Sequence, residues 1–164
     1  MSNFIIHGRV HKYGDNINTD LISPAFYIGM ADEIMFAHAM EGVDPDFTKK
    51  VRPGDIVVAG KNFGSGSSRE TAPFVIKGNG VSVVIAEFFA RIFYRNAINI
   101  GLAVLTTDCV SKISDGDELK VDPIGGIIQN ITTGEEYQCT KLPPNVMELV
   151  QDGGLIPHLE KKLK

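Results

Sequence analysis

The sequence predicts an α/β fold, a mixed sheet flanked by helices with a C-terminal β-hairpin region, and three observations carry that expectation. Short β-branched and aliphatic runs at Ile56 to Ala59, Val81 to Ala86 and Leu102 to Leu105 read as strands buried on both faces. Helix-like stretches from Thr71 to Lys77 and from Phe88 to Asn99 separate them, which gives a β-α-β-α-β order. Beyond Thr106 the texture changes to Glu118–Val121, Ile127–Ile131 and Tyr137–Cys139, broken by glycine-bearing turns, the pattern of antiparallel hairpins. With 164 residues, 43% of them hydrophobic and 22% charged, the chain is expected to form one domain over residues 1–164.

In chain order, Phe4 to Val10 reads as an opening strand, and Tyr13 to Asp20 as a loop rich in Gly, Asp and Asn. That loop is not a calcium loop: the sixth position counted from Asp15 lacks the required glycine, and Phe26 stands where a bidentate Glu is needed. Asx side chains bonding their own backbone account for it equally well. Ala31 to Met40 suits a short helix, and the lone His38 inside it reads as a packed or solvent-edge residue rather than a ligand. Arg52-Pro53-Gly54-Asp55 is a turn ahead of the first buried strand. Arg91 and Arg95, one helical turn apart, could share a face as an anion clamp or stand as two solvated charges, and the solvated reading is the commoner case. Pro143-Pro144-Asn145 precedes a closing helix from Val146 to Gln151, and the Lys-rich tail after it is expected to fray.

Between the first buried strand and the following helix lies Gly60-Lys61-Asn62-Phe63-Gly64-Ser65-Gly66-Ser67-Ser68-Arg69-Glu70, the stretch with the most chemistry. Its glycines let the backbone turn through positive φ and approach a ligand closely. Ser67 and Glu70 have the spacing of a capping box, which would set Ser67 at an electropositive helix start, next to the guanidinium of Arg69. The loop is therefore expected to bind an anion such as a carboxylate. Mere helix capping by serine is the plain alternative. Pro73 complicates the boundary: proline is tolerated only in a first turn, so the helix either starts later than Ser67 or begins irregularly. The loop lacks the Gly-Lys-Ser/Thr ending of a P-loop and the glycine spacing of a nucleophile elbow.

Charge and cysteine content narrow the classes further. A formal net charge of −4 offers no basic field for nucleic acid. The two cysteines, Cys109 and Cys139, form no Cys-x-x-Cys, so neither a disulfide framework nor a metal or iron–sulfur site is expected from this chain. Met1 to Ile6 has no basic segment leading into a long apolar core, and no run approaches about 18 apolar residues, so a cytoplasmic protein without a membrane span is expected.

The run Asn62 to Glu70, followed by Ala72-Pro73 and then by Phe89-Ala90-Arg91-Ile92-Phe93-Tyr94-Arg95-Asn96, resembles the swivel domain of the aconitase superfamily. Asn18-Thr19-Asp20 and Tyr27-Ile28 resemble it too, so the likeness covers roughly Asn18 to Leu105. A free-standing chain of this length is similar to the small subunits of the isopropylmalate dehydratase branch. The resemblance implies a swivel-like fold, a large-subunit partner, and a [4Fe-4S] cluster held by that partner as a Lewis acid, with no cofactor bound by this chain. It implies a small dicarboxylic acid substrate and an isomerisation of 2-isopropylmalate and 3-isopropylmalate by dehydration and rehydration, a step of leucine biosynthesis. It also leaves room for a homo-oligomer of the isolated chain.

Residue by residue, the resemblance gives Ser67 the role of the catalytic base, and Ser68 and Arg69 that of substrate-carboxylate binders. Thr71 departs from the His common in bacterial members, and Ser65 from a frequent Cys. The pair after Tyr27-Ile28 faces the variable group of the substrate in relatives, and here it is Gly29-Met30. With no arginine at either place, an extra distant carboxylate would be left unpaired, so homocitrate-type substrates are disfavoured. Met30 offers an adaptable apolar wall and Gly29 room, which suits an isopropyl group and also accommodates dimethyl-substituted malate. A non-catalytic anion-binding module is the reading from outside the enzyme class.

Overall fold

A computed structural model describes residues 4–164. The expected lack of a leader at Met1 to Ile6 rests partly on residues 1–3, which lie outside the described residues. Among the described residues no helix is long and apolar enough to cross a membrane.

The strands are β1 (Ile6–Lys12), β2 (Ile56–Val58), β3 (Val83–Ala86), β4 (Ala103–Thr106), β5 (Glu118–Asp122), β6 (Ile127–Asn130) and β7 (Glu136–Gln138). They form one seven-stranded sheet in the order β4-β3-β2-β1-β5-β6-β7. The β1 to β4 neighbours run parallel, whereas β1–β5, β5–β6 and β6–β7 are antiparallel, so the sheet is mixed as expected. Strand β1 sits at the change of direction. The chain after β7 swings back to the opposite edge, where the Thr140 N–H donates to the Thr106 carbonyl at 2.9 Å, so the sheet curls toward closure.

Helix α4 (Thr71–Gly78) connects β2 to β3 and α5 (Arg91–Asn99) connects β3 to β4, matching the expected β-α-β-α-β order. Residues alternate between the two faces of the parallel strands. Val57, Val84 and Val104 face a core shared with Val75 and Ile76 of α4 and Phe93 and Ala97 of α5. Ile56, Val58, Val83, Ile85 and Leu105 face the opposite way, onto Leu119, Val121, Ile128 and Tyr137 of the antiparallel half. Both faces are thus dry, which is why these strands read as unbroken aliphatic runs.

Four short helices complete the frame: α1 (Thr19–Ile22), α2 (Asp32–Ala37), α3 (Phe47–Lys50) and α6 (Pro144–Gln151). The helix expected over Ala31 to Met40 stops at Ala37, because Met40 takes φ +62° and its N–H donates to the Ile22 carbonyl at 2.8 Å. The opening strand is displaced by two residues from the expected Phe4–Val10, reaching Lys12 in register with Val58. The tail does not fray. It forms α7 (Leu155–Lys162) after a Gly153-Gly154 turn in which both glycines have positive φ. Asp152 holds that helix to α6, accepting from His158 Nδ1 at 2.7 Å and from Lys161 Nζ at 3.2 Å.

One buried polar pair stabilises the turn before β2. His11 Nε2 donates to Asp55 Oδ2 at 2.7 Å, and the same oxygen accepts the Arg52 N–H at 2.9 Å. Both side chains lie in the interior, so Asp55→Ala strands a ring nitrogen and a backbone donor together. A loss of about 1–3 kcal/mol is expected in denaturant unfolding. A variant as stable as the parent would show that these donors find other partners.

Candidate active site

The glycine-rich segment leaves β2 and is laced by hydrogen bonds to Ile17 and to Thr19 at the start of α1. Gly64 N–H donates to Ile17 O at 2.7 Å, Thr19 N–H to Ser65 O at 2.8 Å, and Thr19 Oγ1–H to Ser67 O at 3.0 Å. Gly64 and Gly66 adopt φ +82° and +96°, a region that disfavours side chains. A Cβ on Gly64 would run into the buried ring of Phe93 on α5. The glycine is what lets the loop lie directly on that helix.

The expected position of Ser67 at the start of α4 needs correction. The helix begins at Thr71, its N-cap residue Glu70 has helical dihedrals, and no side chain caps it. Pro73 therefore falls in the first turn, where its missing N–H costs nothing. A different helix end faces the loop. Ala90, Arg91, Ile92 and Phe93, at the start of α5, line a cleft of about 320 Å³ with Thr19, Gly64, Gly66, Ser67 and Arg69. No side chain caps α5, so its first N–H groups and the positive end of its dipole border the cleft. The positive helix end at the cleft thus comes from a helix beyond the next strand, a setting that suits an anion.

Ser67 and Ser68 are exposed and Arg69 half-buried. Among the described residues the Ser67 hydroxyl makes no hydrogen bond. Arg69 Nη1 donates to Asp20 Oδ1 at 2.9 Å and to Ser23 O at 3.3 Å, which fixes the guanidinium and leaves its other nitrogens for a ligand. Asp20 Oδ1 also accepts the Ala25 N–H at 3.1 Å. The Arg69 hydrogen bond, followed by that from Ala25, holds the Asp20 carboxyl below the usual carboxylate range. A depressed folded value means the pairing stabilises the fold above the unfolded value and is lost as pH falls through the folded one. Arg69→Ala should let the Asp20 midpoint rise toward its ordinary value in an NMR titration, and an unmoved midpoint would contradict the pairing.

Ser67 and Arg69 thus meet in one cleft. Ser68 stands beside it without lining it, and Gly29 and Met30 do not line it either. They follow a 3-10 turn at Ala25–Tyr27, with Met30 exposed. Gly29 has φ +90° and open space around it, so conformation rather than room requires a glycine there. Two residues of the site were not singled out by the sequence reading. Asp20, 49 positions from Arg69, gave no signal of pairing beyond its place in the Asn18-Thr19-Asp20 run. Arg91 was read as a solvated charge; it is exposed, and it stands at the cleft wall.

An iron–sulfur cluster would require thiolate donors. The sequence has two cysteines. Burial pushes the Cys139 thiol up to about 11, away from the thiolate a cluster requires. Cys109 Sγ donates to Asp108 Oδ1 at 3.5 Å. Three or four thiolates for an iron–sulfur cluster are not available, so a cluster does not fit this chain. A larger apolar hollow of about 400 Å³, lined by Phe74, Ile100 and Ile156, includes Lys77, whose Nζ donates to backbone carbonyls of Ile100 and Gly153.

The fold and the serine–arginine cleft define a swivel-type domain of the aconitase kind. The aconitase C-terminal domain profile matches residues 15–109, which span the cleft and the β-α-β-α-β half. The chain belongs to the small-subunit family of the isopropylmalate dehydratases. It is 55% identical over 161 residues to the isopropylmalate/citramalate isomerase small subunit of Methanocaldococcus jannaschii, covering 97% of this chain and 96% of that one. It is 52% identical to the 3-isopropylmalate dehydratase small subunit of Nautilia profundicola, covering 98% and 97%. The crystal structure of a 3-isopropylmalate dehydratase from M. jannaschii superposes with a TM-score of 0.92 at 42% identity, covering 98% and 96%.

Proposed function

We propose that this chain is the small subunit of a two-chain hydro-lyase that interconverts 2-isopropylmalate and 3-isopropylmalate through an alkene, with Ser67 as its base. The observation that carries this reading is the meeting of an exposed, unbonded Ser67 hydroxyl, the oriented Arg69 guanidinium and the uncapped start of α5 in one open cleft. Arg69 and Ser68 hold a substrate carboxylate, and Asp20 keeps Arg69 aimed at it. Ser67 withdraws and returns the carbon-bound proton. A serine alkoxide is strongly basic, and the positive helix end together with Arg69 and Arg91 stabilises it where water alone would not.

The cleft is open on this chain alone, with Ile92 half-exposed at its wall. A partner must close it and exclude water, and the cluster that the resemblance implies belongs to that partner. Gly29 and Met30, which the resemblance sets against the variable group of the substrate, are read as its selector. With no cationic side chain at these positions they favour a branched alkyl group. The name of the M. jannaschii relative, which includes citramalate, supports a methyl-bearing malate as a second substrate of the same site.

A substrate panel tests the reading. The chain, assembled anaerobically with its large subunit, is offered 3-isopropylmalate, citramalate, 2,3-dimethylmalate and homocitrate side by side. The highest kcat/KM is expected for 3-isopropylmalate and the lowest for homocitrate. Preference for homocitrate would overturn the role of Gly29 and Met30. Failure to turn over any of the four with a cluster-loaded partner would favour a binding module.

A further inference from the structure

The segment that carries Gly29 and Met30 is exposed and is held by few attachments. Its backbone bonds are local: Tyr27 N–H to Pro24 O at 3.1 Å, Ile28 N–H to Ala25 O at 3.2 Å, and Met30 N–H to Tyr27 O at 3.1 Å. Its start is fixed by the Asp20–Ala25 bond, through the same carboxylate that orients Arg69. Its middle is fixed by a ring. The Tyr27 side chain lies flat on the imidazole of His38, with centroids 3.7 Å apart and planes 5° from parallel. His38 sits at the C-terminal end of α2, and its Nδ1 donates to Glu41 Oε1 at 2.8 Å, which fixes the plane of the imidazole. Phe26 meets the Tyr27 ring edge-on at 5.1 Å. Tyr27 also leans on the helical core, so the stack sets its orientation and not merely its burial.

We propose that His38 is a positioning residue for substrate selection, stacking on Tyr27 under the tether of Glu41 so that Gly29 and Met30 meet the substrate in one fixed arrangement. This rests on the reading of Gly29 and Met30 as the selector. The geometry shows why a remote ring matters. Gly29 is at φ +90° with open space around it, and the Met30 N–H closes a turn across it onto the Tyr27 carbonyl at 3.1 Å, so the place of Met30 between Tyr27 and the start of α2 is set through Tyr27. Fixing Tyr27 therefore fixes the swing of Met30. Without the His38 ring, Tyr27 can turn on its own χ angles, the apolar wall becomes diffuse, and discrimination between a large and a small alkyl group declines. Ser67, Ser68 and Arg69 are untouched, so the proton-transfer step is unaffected.

The test uses His38→Ala and His38→Phe in the assembled two-chain enzyme, with the ratio of kcat/KM for 3-isopropylmalate to that for citramalate as the readout. His38→Ala should lower this ratio about tenfold, within the range an alkyl pocket can discriminate. The loss should fall on KM for the isopropyl substrate, with kcat for citramalate retained. His38→Phe keeps a flat ring under Tyr27 and should restore most of the ratio. A wild-type ratio in His38→Ala, or equal losses in Ala and Phe variants, would overturn the proposal.

A second measurement does not depend on turnover. Hydrogen exchange of the isolated full chain should show the Ile28 and Met30 amides exchanging about fivefold faster in His38→Ala than in the parent or His38→Phe, the scale of one aromatic stack. Unchanged exchange would count against the stack as a tether. If the parent enzyme turns over no malate, the proposed function fails while the exchange measurement still decides the positioning of the segment.

Discussion

Ser67→Ala, assembled with the large subunit, is expected to lower kcat by about 10²–10⁴-fold, the usual contribution of a positioned acid–base group. KM should change little, because the Arg69–Asp20 pair, proposed to hold the carboxylate, is left in place. Stability should stay within about 0.5 kcal/mol of the parent, since the hydroxyl is exposed and bonds to nothing among the described residues. This pattern separates catalysis from capping. A serine that merely capped a helix would lose about 1 kcal/mol of stability on truncation, and Ser67 stands four positions before Thr71, where α4 begins. Steady-state kinetics and thermal unfolding of the same preparation measure both quantities. Full turnover in the variant would remove Ser67 from the base position.

The largest effect on stability is expected from Gly64→Ala. The new Cβ would meet the Phe93 side chain, which is 2% exposed in the middle of the helical core. Overpacking costs about 1–3 kcal/mol. The left-handed φ of +82° adds about 1–2 kcal/mol for any residue with a Cβ. For a domain of this size the midpoint of thermal unfolding should drop by roughly 10 °C. Relief of the clash would also push the loop off α5 and carry Ser67 away from the cleft, so turnover should fall with stability. Gly66→Ala is the control: it has the same kind of φ, but its nearest contact is Thr19 Oγ1 at an ordinary 3.5 Å. It should cost only the backbone strain. Equal losses in the two variants would show that the approach of loop to helix is not what Gly64 secures.

The parts legible in the sequence were those with local causes. Aliphatic runs announced β2, β3 and β4 because these strands are dry on both faces, and the glycine-serine loop was recognisable because its backbone must turn through positive φ. The antiparallel β5 to β7 were marked by their turns. Other features depend on partners distant in the chain. The curl that brings Thr140 to Thr106 and the central place of β1 have no local signature. The helix end facing Ser67 belongs to α5, and the capping-box spacing of Ser67 and Glu70 pointed instead to α4, for which Pro73 left a later start and an irregular first turn equally open. Helix α7 was missed because its anchoring to α6 is made by Asp152 with His158 and Lys161, an arrangement visible only once the Gly153-Gly154 turn is folded. His38 looked inert for the same reason, since Tyr27 reaches it only in the folded chain.

The central claim is that this chain supplies the base of an active site that neither chain completes alone. The most direct test titrates the chain into a fixed amount of cluster-loaded large subunit with 3-isopropylmalate present, and then adds Ser67→Ala as a competitor. The account predicts no turnover by either chain alone, activity that rises to saturation as the parent chain is added, and a progressive loss as the folded variant displaces it. Turnover by the large subunit alone, or undiminished activity with Ser67→Ala bound in place of the parent, would contradict it.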